Sequence, residues 1–138
     1  MKIFKKITAL AMAAVTAGTL SLSASAAGVE HKDWSVAHVN VPGAPSILNY
    51  TTVDMVASTD TYFAMAEHMT DLVSREVTIE STTNYMNRTI EFNAAGKEQA
   101  WKLLQGAWGD PVTYKIKAHT NESAVLAADG YIERRYMS

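Results

Sequence analysis

The 138-residue chain has no cysteine, which excludes a disulfide framework, a thiol nucleophile and a lipid anchor attached through a cysteine. Its folded domain must stand on its core. After Ala27 no long apolar run occurs, so nothing in that stretch reads as a membrane span, and the C-terminal Glu133-Arg134-Arg135-Tyr136-Met137-Ser138 carries no anchor-like tail. Clustered positive charge is missing as well. The nearest thing to a basic cluster is Arg134-Arg135, which alternate faces if they lie on a strand. Nucleic acid and anionic lipid are therefore not expected partners, because phosphate neutralisation needs grouped Lys and Arg.

Catalytic signatures are absent too. There is no Gly-rich phosphate loop, no Gly-x-Ser-x-Gly elbow, no His-Glu-x-x-His and no Asp-x-Asp-x-Asp-Gly calcium loop. These absences remove the positive reasons to assert an enzyme or a cofactor. His31, His38, His68 and His119 raise the question of a metal, but their spacing matches no known site and tetrahedral zinc needs three or four converging donors. No metal is expected. On strands, His38 and His119 could approach one another across a sheet, and a pH-sensitive role would require them to form a buried pair.

What is present begins with an export signal. Lys2, Lys5 and Lys6 form a basic n-region, Ile7 to Leu20 an apolar and small-residue stretch, and Ala24-Ser25-Ala26 a small-residue cleavage site. Residues 1–26 read as a signal peptide and 27–138 as one secreted domain, extracellular or held at a surface by non-covalent contacts. Removal of the three signal lysines leaves nine of twelve basic residues against fourteen acidic ones, a net charge near −5. A secreted domain of this size without disulfides points to a bacterial source.

Period-two patterning dominates the mature chain. Trp34 to Val41 alternates until Pro42-Gly43-Ala44-Pro45 stops it. Glu76 to Glu80 and Arg88 to Phe92 alternate around a polar Ser81-Thr82-Thr83-Asn84 and predict a hairpin. From Pro111 to Ala118, Val112, Tyr114, Ile116 and Ala118 share one face, while Thr113, Lys115 and Lys117 share the other. Ala124 to Ala128 and Tyr131 to Tyr136 flank Asp129-Gly130, which predicts a second, tight hairpin. The expected fold is mainly β, an antiparallel β-sandwich, immunoglobulin-like or similar, with one or two short helices.

Two segments leave α+β as the alternative. Tyr62, Met65, Ala66, Met69, Leu72 and Val73 recur at helical spacing, as do Ala100, Leu103, Leu104, Ala107 and Trp108. Strand is the preferred reading of the first, over 61–73, and short helix or loop that of the second, over 97–105. If the first were an edge strand, Phe63, Met65 and Met69 would share a face and offer a route to self-association.

Aromatic residues carry the functional expectation. Trp34, Trp101, Trp108 and Tyr136 are the candidate ligand-binding residues, because an indole or phenol face packs on a sugar or peptide while its polar edge hydrogen-bonds. The competing reading places Trp34 and one further indole in the core. Trp108, just before Gly109-Asp110-Pro111, is the indole expected at the surface. The chain is thus expected to be an exported non-catalytic binding or surface-interaction domain, for a cell-envelope polymer or a host-surface ligand. The alternatives are a secreted antimicrobial or toxin-like protein and a small hydrolase acting through carboxylates such as Glu91 and Glu98.

Overall fold

A computed structural model describes residues 29–83 and 85–135. The expected signal peptide and Tyr136 lie outside the described residues. Eight strands are formed: β1 (Glu30–Val39), β2 (Tyr50–Val56), β3 (Thr61–Met69), β4 (Glu76–Ser81), β5 (Ile90–Phe92), β6 (Gln99–Trp101), β7 (Pro111–His119) and β8 (Val125–Arg135). They build two four-stranded sheets, β1-β8-β3-β6 and β2-β7-β4-β5, antiparallel throughout. Among the described residues there is no helix, so the fold is a β-sandwich.

Alternation explains the layers. Trp34 and Val36 of β1, Tyr62, Ala64 and Ala66 of β3, and Leu126, Ala128 and Ile132 of β8 face inward from the first sheet. Val112, Tyr114, Ile116 and Ala118 of β7, with Val77 and Ile79 of β4, oppose them from the second. At the centre Tyr62 stacks on Trp101 at 5.8 Å, and Tyr114 meets both rings edge-on at 5.6 and 5.4 Å. Each such pair adds roughly 0.5–1.5 kcal/mol beyond area burial. The Trp101 indole N–H donates to the Tyr114 hydroxyl at 3.2 Å, and the Tyr62 hydroxyl donates to the Val56 carbonyl at 2.5 Å. The buried aromatic knot therefore leaves these polar tips satisfied.

The chain changes sheet at almost every connection, and β4 with β5 is the only described pair of consecutive strands that are hydrogen-bonded neighbours. That pair is the expected hairpin, with Val77 opposite Phe92 and Ile79 opposite Ile90. The second expected hairpin is not formed. Asp129-Gly130 lies inside β8, with Gly130 opposite Trp34 on one side and Ala66 on the other. The glycine answers to a different requirement: a Cβ there would lie 2.7 Å from Trp34 Cζ2 and would overlap the Met65 carbonyl oxygen. Two long flanking ladders hold β8 straight where the local sequence favours a turn.

The segment over 61–69 is a strand, as preferred, but a β-bulge between Ala66 and His68 divides its faces. Phe63 and Met65 stay on the outer face while Met69 turns to pack on the core. β3 lies between β8 and β6, but β6 pairs with it only from Tyr62 to Ala64, so β3 is an inner strand over that stretch alone. Over 97–105, where a short helix or loop was expected, the chain forms the short β6, a loop, and an isolated bridge between Met86 and Leu103; burial of Trp101 against Tyr62 fixes that extended path. β2 was not anticipated from its sequence. The Pro42-Gly43 stop is a tight turn, with Ala44 N–H donating to Val41 O at 3.1 Å and Gly43 at φ +80° as the left-handed residue.

Candidate functional site

The structure separates the three indoles. Trp34 is 3% exposed and Trp101 2%, both within the core, whereas Trp108 is 49% exposed. Burial removes Trp34 and Trp101 from any ligand-facing platform. Trp108 sits at the apex of a turn in which Asp110 N–H donates to Ala107 O at 2.9 Å and Gly109 adopts φ +92°. Two backbone bonds pin this turn to the residue after β2: Ala57 N–H to Asp110 O at 2.7 Å, and Gly109 N–H to Ala57 O at 2.9 Å. The exposed ring is thus held on a tethered turn.

Beside it lies a pocket of about 320 Å³ whose lining includes Gly106, Tyr85, Gln105, Thr82, Thr83 and Leu103. A Cβ on Gly106 would meet the Trp108 ring at 3.4 Å, so the indole packs beside that lining glycine, next to the pocket without lining it. None of the lining residues carries a charge. Aromatic faces, hydroxyls and one carboxamide suit a neutral ligand that offers both an apolar face and hydrogen-bonding groups. The sequence signal for this site was Trp108 next to Gly109-Asp110-Pro111; Tyr85 and the threonines come from the β4–β5 connection and could not be joined to it from the sequence.

A second polar constellation covers the outer face of the first sheet. His31 on β1 lies 2.7 Å from Glu133 and 3.1 Å from Asp33, and its ring stacks on Tyr131 at 5.2 Å. Arg135 reaches Glu133 at 2.7 Å and Glu98 at 2.9 and 2.7 Å, with its guanidinium 4.1 Å above the Phe63 ring. His68 holds Asp129 at 2.7 Å. Asp129 and Glu133, each 1% exposed, are buried on what would otherwise be a solvated face because these long neighbours lie across them. Burial pushes the Asp129 carboxyl up, against the hydrogen bond from His68. Burial, then Asp129, then Asp33 push up that of Glu67, which the bulge places among them. Glu67 Oε1 and Asp129 Oδ2 are buried without a hydrogen-bond partner. Among the described residues, no three histidine, aspartate or glutamate side chains are placed to hold a metal ion.

Glu91 and Glu98, the carboxylates considered for hydrolysis, both line a cleft of about 480 Å³ with Arg88 and Lys97. Glu98 accepts hydrogen bonds from Arg135 and from the Tyr131 hydroxyl, and the Arg135 bond foremost holds its carboxyl below the usual range. A carboxylate so stabilised in its ionised form is a poor proton donor. Arg134 and Arg135 point to opposite faces, Arg134 bonding Asp60 at 2.8 Å and Glu30 at 3.4 Å. The four histidines are dispersed as His31 and His68 on this outer face and His38 and His119 at the end of the sandwich where β1 meets β7.

No protein-family model matches the chain, and no curated protein does. Among solved structures it is similar to the EclA C-terminal domain, described as a sugar-binding protein, at 11% identity over 75% of this chain and 80% of that one, with a TM-score of 0.41. It is also similar to the P-domain of Macrobrachium rosenbergii nodavirus, at 16% identity over 76% of this chain and 91% of that one, with a TM-score of 0.32. Neither likeness carries a residue role to this chain. The chain is a cysteine-free β-sandwich with a tethered exposed indole beside an uncharged pocket and, on the outer face of one sheet, a network of buried carboxylates.

Proposed function

We propose that the chain is an exported, non-catalytic binding domain that meets a hydroxylated polymer, of the cell envelope or of a host surface, through Trp108 and the pocket beside it. The observation that carries this reading is the exposure of Trp108, 49%, while the other two indoles are sealed in the core. A small domain gains by burying its aromatics, so one held outward on a turn by two backbone bonds suits contact with a ligand. The uncharged lining fits a neutral ring better than a phosphate or an ammonium group. Export rests on the basic, apolar and small-residue sequence of residues 1–26.

Co-sedimentation of the mature protein with isolated cell walls and with whole cells, read together with tryptophan fluorescence, tests the proposal. Saturable pelleting with a spectral shift, both lost in Trp108→Ala, is the expected result. Pelleting that Trp108→Ala leaves unchanged would remove the site, and absence of saturable binding to any wall or cell fraction would remove the function.

A further inference from the structure

His38 of β1 and His119 of β7 belong to different sheets, yet their rings stack at 5.3 Å with planes 17° apart. The pair sits over the end of β7 with His38 half-buried and His119 exposed, so it is not the buried pair expected; what is buried is the Thr120 backbone beneath it. Next in the chain, Thr120 is 1% exposed and its N–H donates to His38 Nδ1 at 3.0 Å. The Thr120 hydroxyl donates to Ser74 O at 2.7 Å and accepts Glu122 N–H at 3.1 Å. Ser74 is held from two more directions, its Oγ accepting Asn121 N–H at 2.9 Å and its N–H donating to Glu122 Oε2 at 2.6 Å. Asn40 closes the knot by donating to the carbonyls of Thr120 at 3.2 Å and Glu122 at 2.7 Å. Ser74 interrupts the rim of a cleft of about 480 Å³ lined by Asp71, Leu72, Val73, Arg75 and Asn93. Val73 on that rim is 99% exposed.

One atom decides the state of this knot. A ring nitrogen that accepts a hydrogen bond carries no proton, so His38 is neutral with its hydrogen on Nε2. Protonation would place an N–H on Nδ1 against the Thr120 N–H and leave a buried donor without an acceptor. Charged groups near the ring act in both directions, Lys117 and His119 against its protonation and the carboxylates of Glu76 and Glu122 in favour of it. Lys117 and His119 face it from β7, Glu76 stands opposite His119 on β4, Tyr50 of β2 stands opposite Lys117, and Glu122 is occupied by Ser74.

We propose that the His38–His119 stack is an acid-released latch, which when neutral fixes residues 119–124 and Ser74, and on protonation of His38 frees them together with the 71–75 rim of the cleft. Burial first, then His119 and Lys117, hold the His38 ring below the ordinary imidazole range. With a folded pKa below the unfolded value of about 6.5, the unfolded chain binds the proton first. The stability contributed by neutral His38 is complete above that value and is lost as pH falls from it towards the folded pKa.

Amide hydrogen exchange at about pH 7.5 and about pH 5, corrected for intrinsic rates, reads the latch directly. Protection of Ser74, Thr120 and Asn121 falls about tenfold or more in acid, the factor that corresponds to losing one buried bond. In His38→Asn, whose amide oxygen can take the place of Nδ1 without titrating, protection stays at its neutral value. Unchanged protection in the parent, or equal loss in the variant, overturns the proposal. If His38→Asn does not fold, the NMR titration of the parent decides. A His38 ring that titrates at or above about 6.5 overturns the latch, and a lower midpoint shared with the Thr120 amide signal supports it.

Discussion

Replacement of Gly130 by alanine tests the central packing of the sandwich. An ideal Cβ at this position lies 2.7 Å from Trp34 Cζ2 and 2.9 Å from the Met65 carbonyl carbon, and overlaps the Met65 carbonyl oxygen. Neither obstacle can yield cheaply. Trp34 is 3% exposed and wedged into the core, while Met65 is backbone within the β3 ladder. The side chain would have to drive β8 away from β3, so the cost sits at the upper end of overpacking, about 3 kcal/mol. That is a large share of the roughly 5–15 kcal/mol that keeps a domain folded. For about 100 residues it corresponds to a fall in Tm of roughly 12–24 °C. Gly96→Ala is the control, because Gly96 has φ +93° and open space around it, for a cost near 1 kcal/mol from backbone conformation alone. Thermal melts followed by circular dichroism, with denaturant midpoints beside them, give both values. A loss for Gly130→Ala no greater than that for Gly96→Ala would refute the reasoning, since that is the outcome if Asp129-Gly130 were an exposed hairpin turn.

Trp108→Ala leaves the unfolding free energy within about 0.5 kcal/mol of the parent, as expected of an exposed side chain, while abolishing the ligand-induced fluorescence shift that the two buried indoles cannot report. Tyr114→Phe deprives the Trp101 N–H of its acceptor in the core and costs roughly 1–3 kcal/mol, read as a lower urea midpoint at unchanged m-value. Glu67→Gln raises stability at neutral pH and has no such effect below about pH 4, read from melts across that range. Its carboxyl is pushed up by burial, then by Asp129 and Asp33, so the native state holds the proton more tightly than the unfolded chain. The penalty therefore sets in as pH rises through the unfolded pKa towards the folded one. A variant less stable than the parent at neutral pH would show that Glu67 contributes as an anion.

Residue alternation was legible in β7 and in the β4–β5 pair, though not in β2, whose half-buried pattern passes unnoticed in the sequence. The inward set of β7, Val112, Tyr114, Ile116 and Ala118, is buried as the period of two requires, and the Pro42-Gly43 stop and the β4–β5 hairpin are local events that local residues specify. Legibility fails where partners come from far along the chain. Asp129-Gly130 has the composition of a turn, but its neighbours are Ser35 and Trp34 on one side and His68 and Ala66 on the other, and contacts made by both ladders outweigh local preference. The facing of Met69 depends on a bulge that no periodicity announces. Trp34 and Trp101 resemble Trp108 as residues, and only packing assigned two of them to the core and one to the surface.

The sequence by itself determined the β-rich patterning and the dependence on a hydrophobic core without disulfides, because these follow from side-chain chemistry within a few residues. Only the tertiary structure decided that β8 runs unbroken through its glycine, that Tyr85 and Gln105 line one pocket, and that His38 and His119 stack across the two sheets. Those arrangements arise from residues tens of positions apart, brought together by strand pairing and burial, whose energies belong to the assembled sandwich and to no segment of it alone.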